Sequence, residues 1–186
     1  MTTILTPADL LLVPKLRSLD VQFPVYTLRA AKQTGVPIAL AASILRQETD
    51  GGHNEWGHDP TIFIGGYDAK HAKHWGEEPV TKAAYLAYKL QRGKTGEGGM
   101  QGVGPCQLTW YALQDAADAA GGCWKPYPNM LVGFGHLAQL IKRNGFRIGI
   151  AAYNGDGPAA QAYANIVISR ALTYAAYLNR PVEGLK

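Results

Sequence analysis

Glu48 closes an apolar stripe: Ile38, Ala41, Leu45 and Glu48 follow at steps of three, four and three residues, so a helix places them along one face. A carboxyl group beside such a stripe loses hydration in its charged form. Its pKa then rises, and it can donate a proton near neutral pH. The same spacing also suits a solvated acid in the last turn of an amphipathic helix. Two later segments carry polar groups next to helices. Gly104-Pro105-Cys106-Gln107-Leu108-Thr109 sets one amide, Gln107, in a buried-type strand or turn just before a helix, and Ala151-Ala152-Tyr153-Asn154-Gly155 ends another helix with a hydroxyl and an amide.

Other residue types invite chemistry as well. His53, His58, His71 and His74 fall close together, and His71 and His74 could share a helical face. Lys70 and Lys73 flank them and would repel a cation, with no cysteine nearby, so no metal or other cofactor is expected. Trp56, Trp75, Trp110 and Trp124, with Tyr67, Tyr111 and Tyr127, are candidates for platforms on which sugar rings stack, with core packing as the alternative; Trp56 is the preferred one. Cys106 and Cys123 bracket a helix of about eleven residues, roughly 16 Å long at 1.5 Å per residue. A disulfide therefore requires the chain after Ala120 to double back, and buried free thiols are the alternative.

The elements that position these residues are helical by pattern. Thr6-Pro7-Ala8-Asp9 has the order of a helix start, although Pro14 limits or kinks the helix beyond it. Val25, Leu28 and Ala31 form a second rhythm that stops at Gly35, and Pro37 precedes the Glu48 segment. Asp50-Gly51-Gly52 breaks that helix, and residues 53 to 78 carry turn formers without a sustained period. Helices are predicted from Pro79 to Gln91, Thr109 to Ala120, Asn129 to Arg143, Phe146 to Tyr153, and Pro158 to about Arg180. The last carries Tyr163, Ile166, Val167, Arg170, Ala171, Tyr174 and Leu178 on one side. Between them, Gly93, Gly96, Gly98, Gly99, Gly102 and Gly104 crowd into a loop. No β-rich half, internal repeat or low-complexity tract is visible.

The chain has 186 residues, 47% of them hydrophobic, and no apolar run near the twenty or so residues that cross a bilayer. One domain over residues 1–186 is the expectation, with Pro181-Val182-Glu183-Gly184 reading as the start of a linker. A net charge of +4 favours anionic partners in general. The basic residues are scattered rather than gathered into one arm, which argues against nucleic-acid binding. Leu10 to Val13 is apolar but has no basic segment ahead of it, so no signal peptide is read.

The ordered set of helix-Glu48, then Gly104-x-x-Gln107-Leu108, then Ala152-Tyr153-Asn154 resembles the lysozyme-like lytic transglycosylases and goose-type lysozymes over residues 35 to 178. Pro105 and Cys106 stand where that family has a Leu-Met pair, and the stretch from Glu48 to Gly104 is longer than expected. With Asn54-Glu55-Trp56-Gly57-His58-Asp59 and the glycine-rich segment, the chain looks most like the catalytic domains of endolysins from phages of actinobacterial hosts. The resemblance implies an all-α, lysozyme-like domain with a long irregular lobe near residues 51 to 78.

It further implies a glycosidase that cleaves peptidoglycan, with Glu48 as general acid. Gln107 would contact sugar, as would Asn154, and Tyr153 would orient Glu48 by a hydrogen bond. Trp56-Gly57-His58-Asp59 resembles the Trp-Gly-Asp stretch of goose-type lysozymes with one residue inserted, which makes Asp59 the candidate base that activates water. The alternative reading of Asp59 is an ordinary turn acid before Pro60, and Asp68 and Glu97 are further candidates. If the muramic acid 6-hydroxyl attacks instead, no second carboxylate is required. A monomeric phage lysin is expected, made in the host cytoplasm and released to the wall by a holin-type membrane partner. A non-catalytic wall-binding or virion module is the rival of another class.

Overall fold

The computed structural model describes residues 3–57, 79–92 and 101–182. Asp59, Asp68, Glu97, His58, His71, His74, Tyr67 and Trp75 lie outside the described residues, as do most of the expected irregular lobe, the glycines from 93 to 99 and the end of the expected linker. Helix accounts for 69% of what is described, with no strand, so the all-α expectation holds there. The β-type pairings among the described residues are isolated bridges, Glu55 with Pro79 and Trp56 with Val103. No helix among them is long and apolar enough to cross a membrane.

The helix boundaries follow local chemistry. α1 (Pro7–Leu10) opens on a reciprocal cap, in which the Asp9 amide donates to Thr6 Oγ1 and the Thr6 amide donates to Asp9 Oδ2. Lys32 bonds the same Asp9 carboxylate at 2.7 Å and, with the Thr6 amide, holds its pKa down at about 2. Pro14 falls in the first turn of α2 (Leu12–Ser18), where its missing N–H costs nothing, so it starts a helix rather than ending one. α3 (Pro24–Thr34) ends at Gly35, whose φ of +74° is left-handed. α4 (Ile38–Thr49) follows Pro37 and stops at Asp50, also left-handed.

After α5 (Lys82–Arg92) come α6 (Tyr111–Ala119), α7 (Pro126–Asn144), α8 (Phe146–Asn154) and α9 (Gly157–Leu178). α7 begins three residues earlier than the pattern predicts, because Pro126 and Pro128 both fit a first turn.

Five helices close a ring of contacts: α3 packs on α4, α4 on α9, α9 on α8, α8 on α7, and α7 back on α3. Leu40, Ile44, Leu45, Met130, Phe134, Leu137, Ile150, Ala164, Val167 and Ala171 form its buried interior. Ile166, expected on the inner side of α9, is 47% exposed; the inner face runs through Ala160, Ala164 and Ile168 instead. Val25 is likewise exposed on α3. Ser43 Oγ donates to the Val167 carbonyl at 2.8 Å, and Arg170 donates to the Ser43 carbonyl and to Gln47 Oε1, which fixes α4 against α9.

Outside the ring, α5 is held by an aromatic cluster. Trp56 meets Tyr88 edge-on at 5.3 Å, Tyr85 lies 5.7 Å from Trp124, and the Tyr85 hydroxyl donates to Asp118. Cys106 and Cys123 are both buried free thiols, which decides between the two alternatives left open by their spacing.

The non-helical stretch Val103–Gln107 passes over the ring and is tied down by buried Asn129. Asn129 Oδ1 accepts from the Cys106 amide at 2.9 Å, and its Nδ2 donates to the Val103 carbonyl at 2.8 Å. Replacing Asn129 by Ala leaves the buried Cys106 amide without its acceptor, while the Val103 carbonyl keeps the Leu108 amide at 3.0 Å. We expect Asn129→Ala to lower unfolding stability by about 2 kcal/mol. Urea unfolding followed by circular dichroism checks this, and a loss below about 1 kcal/mol would refute the clamp.

Candidate active site

Glu48 occupies the last turn of α4, as its spacing predicts, and lines a cleft of about 320 Å³. The cleft takes its walls from several elements. Leu108, Thr109 and Trp110 come from the segment leading into α6, and Leu113 from α6 itself. His136 belongs to α7, and Tyr153 and Asn154 end α8. Among the described lining residues Glu48 is the one carboxylic acid.

Desolvation pushes the Glu48 carboxyl up to about 7, and a hydrogen bond from the Tyr163 hydroxyl to Oε1 limits the rise. Such an acid is about half protonated at neutral pH, where an ordinary glutamate is almost wholly ionised. Tyr163 belongs to α9 and is itself buried, so burial and the adjacent carboxylate hold its phenol far above its ordinary range.

The Tyr153 hydroxyl makes a different bond from the expected one. It donates to the Cys106 carbonyl at 2.9 Å and anchors the turn, while Tyr163 supplies the bond to Glu48. The two phenols sit on adjacent helices. The crossing of α8 and α9 decides which reaches the carboxylate.

The turn is fastened from several sides. Thr49, the residue after Glu48, donates to the Pro105 carbonyl at 3.0 Å, so the end of α4 is bonded to the rim of the cleft. Gly133 lets α7 approach: a Cβ built there would meet Cys106 Cβ at 2.5 Å and the Tyr153 hydroxyl at 3.2 Å. Gln107 has a φ of +47°, unusual for a side-chain-bearing residue. Its own bonds hold it there. Its amide N–H donates to the Gly104 carbonyl at 2.9 Å, and its side-chain Nε2 donates to the carbonyls of Gly104 and Glu55. Gln107 thus lines the cleft, as expected of a sugar-contacting residue, and its side-chain nitrogen also closes the turn.

Trp56 also departs from expectation. It is fully buried in the α5 cluster and offers no face to a sugar. Trp110, named among the aromatic candidates but not preferred, is 62% exposed on the cleft and immediately precedes α6. Asn154 is exposed at the end of α8 and lines the cleft, where a substrate can reach it. His136 escaped the sequence reading altogether. Burial, with Arg143 nearby, holds it below the ordinary histidine range, so at neutral pH it is an uncharged ring with one donor and one acceptor. Its position one residue before buried Leu137 was the available signal.

The chemical capacity of the arrangement is proton donation from Glu48 to an oxygen of a ligand in the cleft, beside an exposed indole and a set of neutral hydrogen-bonding groups. Comparison with protein-family models, with curated proteins and with solved structures finds no match.

The raised Glu48 pKa has a stability consequence with a definite sign. Between its ordinary value of 4.5 and about 7 the folded state holds a proton that the unfolded state has released, so stability falls as pH rises through that window. Glu48→Gln removes the ionisable group. The variant is expected to match the natural protein near pH 4.5 and to exceed it by up to about 3 kcal/mol at pH 8. Denaturant unfolding at the two pH values reads the difference, and equal stability at pH 8 would contradict a desolvated carboxyl.

Proposed function

We propose that this chain is a peptidoglycan-cleaving glycosidase of lysozyme-like fold, acting on the β-1,4 bond between N-acetylmuramic acid and N-acetylglucosamine. The observation that carries this reading is the Glu48 carboxyl, desolvated in a cleft that also presents Trp110, Asn154 and His136. The sequence order of Glu48, Gly104-x-x-Gln107-Leu108 and Ala152-Tyr153-Asn154 supports it independently. A phage endolysin working as a monomer on the cell wall, released by a holin-type partner, is the setting that goes with it.

Protonated Glu48 gives its proton to the glycosidic oxygen as the bond to the anomeric carbon breaks, and the leaving sugar departs as an alcohol. The oxocarbenium-like carbon then takes a nucleophile. In the hydrolytic reading that nucleophile is water, which adds its oxygen to the carbon and loses a proton to Asp59. Trp110 stacks on a sugar ring, and Asn154 binds the sugar's polar edge. Tyr163 keeps the Glu48 carboxyl aimed and partly offsets the desolvation that raises its pKa.

Three measurements test the proposal. Glu48→Gln keeps the size of the side chain and removes the transferable proton, so lysis of purified cell walls should fall by at least about a hundredfold while the fold persists. Retained lysis would overturn the assignment. For the natural protein, kcat/KM on walls should fall about tenfold per pH unit above about 7, where Glu48 ionises. Tyr163→Phe should move that limb to higher pH, because it removes the bond that favours the carboxylate. An unmoved limb would refute Tyr163 as the partner. Mass analysis of the digest decides the nucleophile. Reducing ends are expected, with Asp59→Asn inactive, whereas 1,6-anhydro ends would replace water by the muramic acid 6-hydroxyl.

A further inference from the structure

A second groove, of about 410 Å³, lies between α3 and the connection from α6 into α7. Tyr26 and Arg29 form one wall, and Lys125 and Tyr127 another. Tyr127 and His136 are nine residues apart on α7, two and a half helical turns, so the groove faces away from the side of α7 that meets the Glu48 cleft.

Its chemistry is cationic and aromatic. No acidic residue is among its described lining, and the ion pairs of the described residues engage Lys32, Arg46, Lys89 and Arg92 but neither Arg29 nor Lys125. The Arg29 guanidinium lies 4.7 Å above the ring of Tyr127, and the Tyr127 hydroxyl is fixed by donating to Gln33 Oε1 at 2.9 Å. Stacking of this kind holds the planar fork in place without neutralising it, so its N–H groups stay available to an anion.

Tyr26, 41% exposed, sits 5.9 Å from Tyr127 with the rings tilted by 49°. Tilted rings form no parallel slot for a flat base. They do suit the puckered C–H face of a sugar.

We infer that this groove binds an anionic polysaccharide, with Arg29 and Lys125 on its phosphate or carboxylate groups and Tyr26 against a sugar face, and that it holds the protein on the wall while the Glu48 cleft works elsewhere. The wall as the setting rests on the proposed function; the ligand chemistry does not.

Co-sedimentation tests the inference, with Glu48→Gln as the background so that no polymer is cut. The probes are cell walls bearing a phosphodiester polymer, the same walls stripped of it by acid, and insoluble polygalacturonate as the carboxylate source. At least one anionic probe should bind, and Arg29→Gln with Lys125→Gln should weaken binding about tenfold or more. Arg17→Gln with Lys142→Gln removes the same charge at exposed sites elsewhere and should change it less than about twofold. Tyr26→Ala should weaken binding too. Arg29→Lys keeps the charge but loses the fork, and should fall between the natural residue and Gln, which serves if the Gln variant fails to fold.

Equal weakening by the groove and control pairs would overturn the inference, as would binding to none of the probes or only to a single-stranded oligonucleotide. With Glu48 intact, the groove variants should cleave a soluble glycan fragment at the natural rate. Loss of wall lysis in Glu48→Gln is read separately, so the glycosidase proposal and the groove stand or fall apart from each other.

Discussion

A carboxyl group kept from water yet given one hydrogen bond is the condition around which the ring of helices is arranged. Fully unpaired, the ionised form would be too costly to bury. Fully solvated, it would be an ordinary glutamate, ionised at neutral pH. Among the described residues Tyr163 supplies the bond that places Glu48 between those limits. The bond requires α4 and α9 to keep their relative depth, and the Ser43 and Arg170 contacts fix that depth about one turn from the site.

The turn that covers the carboxyl is irregular backbone over a helical core, and its polar groups need partners. Thr49, Asn129 and Tyr153 supply them from α4, α7 and α8. Successive residues of α4 thus have separate tasks, Glu48 in the cleft and Thr49 on its rim. Gly133 makes the closeness possible, since any side chain there would push α7 from Cys106. The thiol that fills this junction is consequently buried, and its pKa is pushed far up by desolvation and by the nearby Glu48.

Some helix limits were legible because proline and glycine act locally: Gly35 and Pro37 mark ends that depend on no distant partner. Glu48 was legible for a similar reason, since one helix period places it. Partners between distant segments were not. Tyr153 and Tyr163 both carry hydroxyls on inward helix faces, and the choice between them is made by a helix crossing that no period encodes. Trp56 lies in a stretch without a period, so nothing near it in the chain shows that α5 will fold over it, and among the described residues the exposed indole is Trp110. Gln107 was legible as a cleft residue, but its bonds to the Gly104 and Glu55 carbonyls were not, because they follow from a left-handed backbone and a distant segment.

The titratable groups of the described cleft converge on one protonation event. Tyr153 and Cys106 have their pKa values raised well above the ordinary, chiefly by burial, and His136 has its lowered by the same cause. Near pH 7 all three are therefore uncharged, since burial opposes whichever form carries charge. Glu48 alone of this set changes state there, so below its pKa the described lining is neutral and above it bears one negative charge. An anionic glycan would be repelled by that charge just when the acid has lost its proton. Ligand entry and proton donation would then favour the same state of Glu48, through the dry surroundings that create the acid.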